Sequence, residues 1–150
     1  MPDGPFSIRL RLPAGEVEDI PARIGVNDVG PPPGLRERYR LQMDVPGLGS
    51  RTYGAQDHFE CLLDLRRELE PRGYRVLVQG SRRNVWPSGM QRDMGVGSHA
   101  YVLELGKHGV RPPVVAIFDP ADEREVVTIE EQFAYRDAWF AEIWDHGTPA

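Results

Sequence analysis

Residues 37–69 read ERYRLQMDVPGLGSRTYGAQDHFECLLDLRREL, and their hydrophobic period changes partway along. Tyr39, Leu41, Met43 and Val45 alternate with Arg38, Arg40, Gln42 and Asp44, the period of two expected of a strand with one buried face. Pro46-Gly47 then turns the chain. Further on, Asp57 with Glu60 three positions later makes a capping box, and Phe59, Leu62, Leu63 and Leu69 recur at helical spacing up to Pro71 and Gly73. A half-buried strand followed by an amphipathic helix predicts a mixed fold, and the flanking sequence says of which kind.

On the N-terminal side, Phe6, Ile8, Leu10 and Leu12 alternate with Ser7, Arg9 and Arg11, which predicts another strand. Pro13 to Gly34 contains the Pro31-Pro32-Pro33 run and little periodicity, so it reads as a long connection. On the C-terminal side, Tyr74 to Gln79, Ala100 to Leu105 and Val114 to Phe118 read as strands. The last of these is apolar on both faces, which suggests a central position, and Asp119-Pro120 ends it. Thr128 with Glu131 forms a second capping box, and Ile129, Phe133, Phe140, Ile143 and Trp144 fall on one face of a final helix. The order ββ-α-βββ-α predicts a single α+β domain over residues 1–150, a mostly antiparallel sheet of about five strands with two helices on one face.

A chain of 150 residues is long enough for one real core. The apolar runs are short and broken by charge, which argues against a membrane span, and MPDGPFS lacks the basic start and apolar stretch of a signal peptide. The cytoplasm is the expected location. The lone cysteine, Cys61, has no intramolecular disulfide partner, and no multi-cysteine metal site can form. The net charge of −5 disfavours nucleic acid as a partner. Residues 119–146 hold nine acids against two arginines, whereas residues 36–83 hold ten arginines against seven acids, so the chain is electrically two-ended. An acidic C-terminal segment suits a basic partner, and equally a solvated helix face.

Between two apolar runs lies Gln79 to Tyr101, QGSRRNVWPSGMQRDMGVGSHAY, with four glycines, three arginines, two methionines and a tryptophan. Its length and aromatic content predict a shaped loop with its own packing. Arg82, Arg83 and Arg92 flank Trp86-Pro87, and a guanidinium beside an indole stacks on it or grips a carboxylate or phosphate. The plainer reading is a loop folded over the sheet edge, with Trp86, Met90 and Met94 as a small core and the arginines paired with Asp93 or helix carboxylates. Gly95-Val96-Gly97-Ser98 suggests an anion cradle, but a phosphate-binding turn needs a strand before it and a helix after it, and here a strand follows.

His58, His99, His108 and His146 are scattered, with no paired spacing for a metal, so no metal or other cofactor is expected. Cys61, at the edge of the apolar face of the first helix, reads as a buried inert thiol, with a Cys–His catalytic pair as the sharper alternative. In the final helix Tyr135 and Trp139 lie to one side of the expected core face, bordered by Glu131, Glu142 and Asp145, and such an aromatic, acidic edge suits protein binding. Arg136 falls on the core face, where it either snorkels or pairs with a buried carboxylate.

The run Trp86-Pro87-Ser88-Gly89-Met90-Gln91-Arg92-Asp93-Met94-Gly95, with Ala100-Tyr101-Val102-Leu103 and Thr128-Ile129-Glu130-Glu131-Gln132, resembles small bacterial immunity-type proteins of toxin and immunity gene neighbourhoods. The likeness spans roughly Leu62 to Phe140 and carries over no catalytic residue. What it implies is a protein that binds and blocks a cognate toxin. The expected contacts are Arg82, Arg83, Trp86, Met90, Arg92, Asp93, Tyr135, Trp139 and Glu142. The alternative is a small-molecule or nucleotide-binding protein, with or without catalysis, that uses the 80–98 loop as an anion site.

Overall fold

Alternation of buried and exposed side chains builds a continuous antiparallel meander in the first third of the chain. The structure is a computed structural model that describes residues 5–27, 38–107 and 111–146, with side chains from residue 6 and up to residue 143. Strands β1 (Pro5–Arg11), β2 (Val17–Val26), β3 (Tyr39–Val45) and β4 (Gly49–Ala55) follow one another. Helix α1 (His58–Leu69) then leads to β5 (Arg75–Val76), which returns to pair with β1 through Leu10↔Val76. The sheet order is β4-β3-β2-β1-β5. Ile8, Leu10, Ile24, Leu41 and Val45 point to the same side as α1 and bury there against Phe59, Leu62, Leu65 and Leu69.

The expected α+β class and five-stranded antiparallel sheet are found, but with different members. The Pro13 to Gly34 stretch, read as a connection, contains β2, which lies in the middle of the sheet. Ile20, Ala22 and Ile24 do alternate inward. Pro21 hides the pattern, and it is tolerated because the ladder to β3 runs only from Ala22 to Val26. The Pro31-Pro32-Pro33 run and Glu37 lie outside the described residues. Strand β4 was also missed: its buried positions are Tyr53 and Ala55, too few to signal an apolar face. The turn before it is fixed by Gly47 at φ 88°, where a Cβ would stand 2.8 Å from the Tyr74 hydroxyl.

The remaining strands form a second sheet, β6-β7-β8, from Val85–Trp86, His99–Val102 and Val114–Ala116. Val114 to Phe118 is therefore not central. Strand β8 is an edge, with Val114 exposed, and the apolar run owes its length to Ile117 and Phe118, which enter the core just after the strand ends. A single core nevertheless joins both sheets, since Val85, Ala100, Ile117 and Ile129 belong to the same cluster as the inner face of the first. Two further helices complete the chain, the short α2 (Gly89–Asp93) and the terminal α3 (Ile129–His146).

A buried polar network locks α3 to the rest. The Arg66 guanidinium, fully buried on α1, donates to Glu70 Oε2 at 2.8 Å, to the Val127 carbonyl at 2.7 Å and to Gln132 Oε1. Burial pulls its pKa down, opposed by the charge of Glu70. Gln132, equally buried, uses its amide nitrogen on the carbonyls of Gly80 at 2.9 Å and Val85 at 2.7 Å. Glu70 accepts in addition from the Ile129 amide at 2.9 Å, at the first turn of α3. Every buried hydrogen-bonding group of Gln132 is thus satisfied, and α1, β6 and α3 are held at fixed distances.

Candidate functional site

The nine residues expected to make contacts fall into four places. Trp86, on β6, does not lead a separate loop core. Its ring meets Phe59 at 5.0 Å and Phe133 at 5.3 Å, both edge-on. Arg136 lays its guanidinium over Trp86 at 4.7 Å and over Phe133 at 4.8 Å, and Arg92 stands over Phe59 at 5.6 Å. The result is a seam of three rings, Phe59 buried and Trp86 and Phe133 half-buried, with an arginine at each end. Arg136, expected to snorkel or to pair with a buried carboxylate, instead stacks on two rings, and its carboxylate neighbour at 2.8 Å is the exposed Asp137.

Met90, Arg92 and Asp93 sit on α2, whose capping box between Ser88 and Gln91 is complete. Met90 and Met94 are 71% and 80% exposed, so they are not the small core the sequence suggested. The helix is a single turn long, and only Arg92 turns inward, to Asp57 Oδ2 at 2.8 Å. Asp57 in turn caps α1 by accepting from the Glu60 amide at 2.7 Å.

Arg82 and Arg83 take different carboxylates, Glu125 at 2.9 Å and Glu131 at 3.3 Å. Together with Arg92 on Asp57, the three guanidinia do not converge on a common space. Glu131 is held below its ordinary carboxyl pKa first by the Thr128 amide and hydroxyl and then by Arg83.

Tyr135 and Glu142 hold the turn after β7. The Tyr135 hydroxyl accepts from the Leu105 amide at 3.1 Å, and a Glu142 carboxylate oxygen accepts from the Gly106 amide. Trp139 is half-buried and packs edge-on against Phe140, which is 50% exposed. The packed stripe of α3 therefore runs through Ile129, Gln132, Phe133, Arg136 and Trp139, and Phe140, expected in the core, faces outward. The side chains of Trp144, Asp145 and His146 lie outside the described residues, as does His108.

Three of the four amides of 95–98 are already engaged. Those of Gly95 and Gly97 donate to the Gln91 carbonyl at 3.1 and 2.9 Å, and that of Ser98 to Gly95 at 3.3 Å. Val96 takes φ 53°, a left-handed conformation that costs a β-branched residue about 1–3 kcal/mol. Its carbonyl accepts from the His58 amide at 2.8 Å, and at Gly97 a Cβ would approach the Asp57 carboxyl at 3.1 Å. The segment thus clasps the start of α1.

Cys61 is buried, within 3.5 Å of the Tyr53 carbonyl, and burial first, then Asp64 and Asp57, push its thiol up to about 12. A thiolate nucleophile is disfavoured there. Among the described residues no group of three or more His, Cys, Asp or Glu side chains is placed to hold a metal ion, and no helix is long and apolar enough to cross a membrane.

Two features of this region lie beyond the expected contacts. Two polar hollows of about 330 and 290 Å³ share Gln56 and Arg92 and run from the end of β4, past the first turn of α1, to Tyr39 and Val96. The acids Glu60, Asp64 and Glu68 stand four apart along the α1 side nearest β4, a spacing that was legible from the start. No protein-family model and no curated protein matches the sequence.

Proposed function

We propose that the protein is a protein-binding module, in its most concrete form an immunity-type inhibitor that binds a cognate toxin and occludes its active site. The observation that carries this reading is the exposure of Met90 and Met94 beside an arginine-capped aromatic seam. Tryptophan, arginine and methionine together are the residues enriched where proteins meet, and flexible thioethers adapt to a partner's surface. Phe140 and Leu105 extend exposed apolar surface along the acidic α3. The alternative, an anion site in the 80–98 loop, has less support, because its arginines are separately paired and three of its amides are used internally.

The test is affinity capture from a lysate of the source cells, comparing the wild type with Met90→Glu/Met94→Glu. Both side chains are too exposed for the change to disturb folding. A stoichiometric partner retained by the wild type and lost by the double variant is expected. Absence of any partner, or equal retention by both proteins, would contradict the reading.

A further inference from the structure

We infer that the open edge of β4, with the groove between it and α1, receives an extended segment of a partner chain as an added strand carrying a basic residue. The groove shares Arg92 and Asp93 of α2 with the methionine surface, but the added strand pairs with β4, so its test does not depend on whether the methionines bind anything.

Strand β4 is the outermost strand of the larger sheet, with no neighbour beyond it among the described residues. Its pairing with β3 runs unbroken from Val45↔Gly49 to Tyr39↔Ala55, so no bulge twists the edge away. The sequence GSRTYGA contains neither proline nor lysine. The usual protections of a free edge are therefore missing, and a row of backbone donors and acceptors is left for another strand.

What lies beside that edge defines the occupant. Glu68 of α1 is bridged to β4 by the strand's own side chains, Tyr53 at 2.6 Å and Arg51 at 3.3 Å. One and two turns earlier on the same side of the helix, Asp64 and Glu60 face the stretch where β4 has only Gly54 and Ala55. No side chain of the strand can reach them there. Arg67 contacts both acids, at 2.7 and 3.7 Å, and Arg92 reaches Glu60 at 3.8 Å, yet each acid stays about a third exposed. An added strand would place its own lysine or arginine where β4 has none.

The shape and charge agree. The two hollows meet at Gln56 and Arg92 and follow one another along the strand end and helix, lined by four carboxylates (Asp57, Glu60, Asp64, Asp93) and two guanidinia (Arg38, Arg92). A polar trough beside a strand edge suits an extended backbone, in which main-chain bonds give affinity and alternate side chains give specificity.

The experiment selects phage-displayed random heptapeptides on the immobilised full chain, then titrates the enriched peptides into ¹⁵N-labelled protein. Enriched peptides should share one lysine or arginine, with shift changes at residues 50–56 and at Glu60 and Asp64. Asp64→Lys, at a partly exposed position that leaves the fold intact, should weaken binding at least ~10-fold. Thr52→Pro, which removes a donor from the edge, should abolish it, with circular dichroism confirming the fold. The inference is overturned by no enrichment, by shifts elsewhere, or by peptides indifferent to Asp64→Lys. Self-association of the free protein that Thr52→Pro prevents would also overturn it, making the occupant a second copy.

Discussion

Gln132 is one residue on which three segments depend. Its carboxamide faces the buried Arg66 on one side and two main-chain carbonyls on the other, and none of these groups has water to fall back on. Gln132→Ala should therefore cost about 3 kcal/mol, because it leaves one N–H of the buried Arg66 guanidinium and two buried main-chain acceptors without partners together. Glu130→Ala, two positions earlier and exposed, should change stability by no more than about 0.5 kcal/mol. Chemical denaturation of the two variants checks the contrast, and equal midpoints would mean that the network contributes nothing. The sequence concealed this residue, since a glutamine within a charged helix start reads as surface. The capping residues around it were readable: Thr128 and Glu131 exchange hydrogen bonds as their spacing predicts, and Asp57 caps α1.

At the scale of elements, α3 shows how a hydrophobicity count misplaces a face. Its large apolar residues draw the expected stripe toward Phe133 and Phe140, whereas the packed stripe is rotated by roughly 40° toward Gln132 and Arg136, both polar. A buried amide in a satisfied network and a guanidinium stacked on rings are core residues in all but composition. Phe133→Ala, which empties a place in the seam, should lower stability by about 3 kcal/mol, and Phe140→Ala by under about 1 kcal/mol. Melting curves decide it, and a comparable loss for both would restore Phe140 to the core. The strands divide in the same way. Strands β1 and β3 were legible because their exposed positions carry polar residues. Strand β2 was obscured by a proline placed just beyond its second ladder, and β4 by its small residues.

For the whole molecule, the α+β class followed from periodicity, but the membership of the five-stranded sheet did not, since β2 and β4 carry no readable alternation, and the site did not follow from residue types alone. Arginines gathered in the sequence are dispersed in space, each to its own carboxylate, and the glycine-rich turn clasps a helix start. Besides the free edge of β4, exposed apolar surface remains at the methionine pair on α2 and at Phe140 on α3, and it is there that the proposed partner would bind. Hydrogen–deuterium exchange of the protein with and without its captured partner tests this most directly. The account predicts new protection in residues 88–95 and in α3 around Phe140, with the exchange of β1 and β2 unchanged. A partner that binds tightly yet leaves 88–95 and α3 exchanging as in the free protein would contradict it.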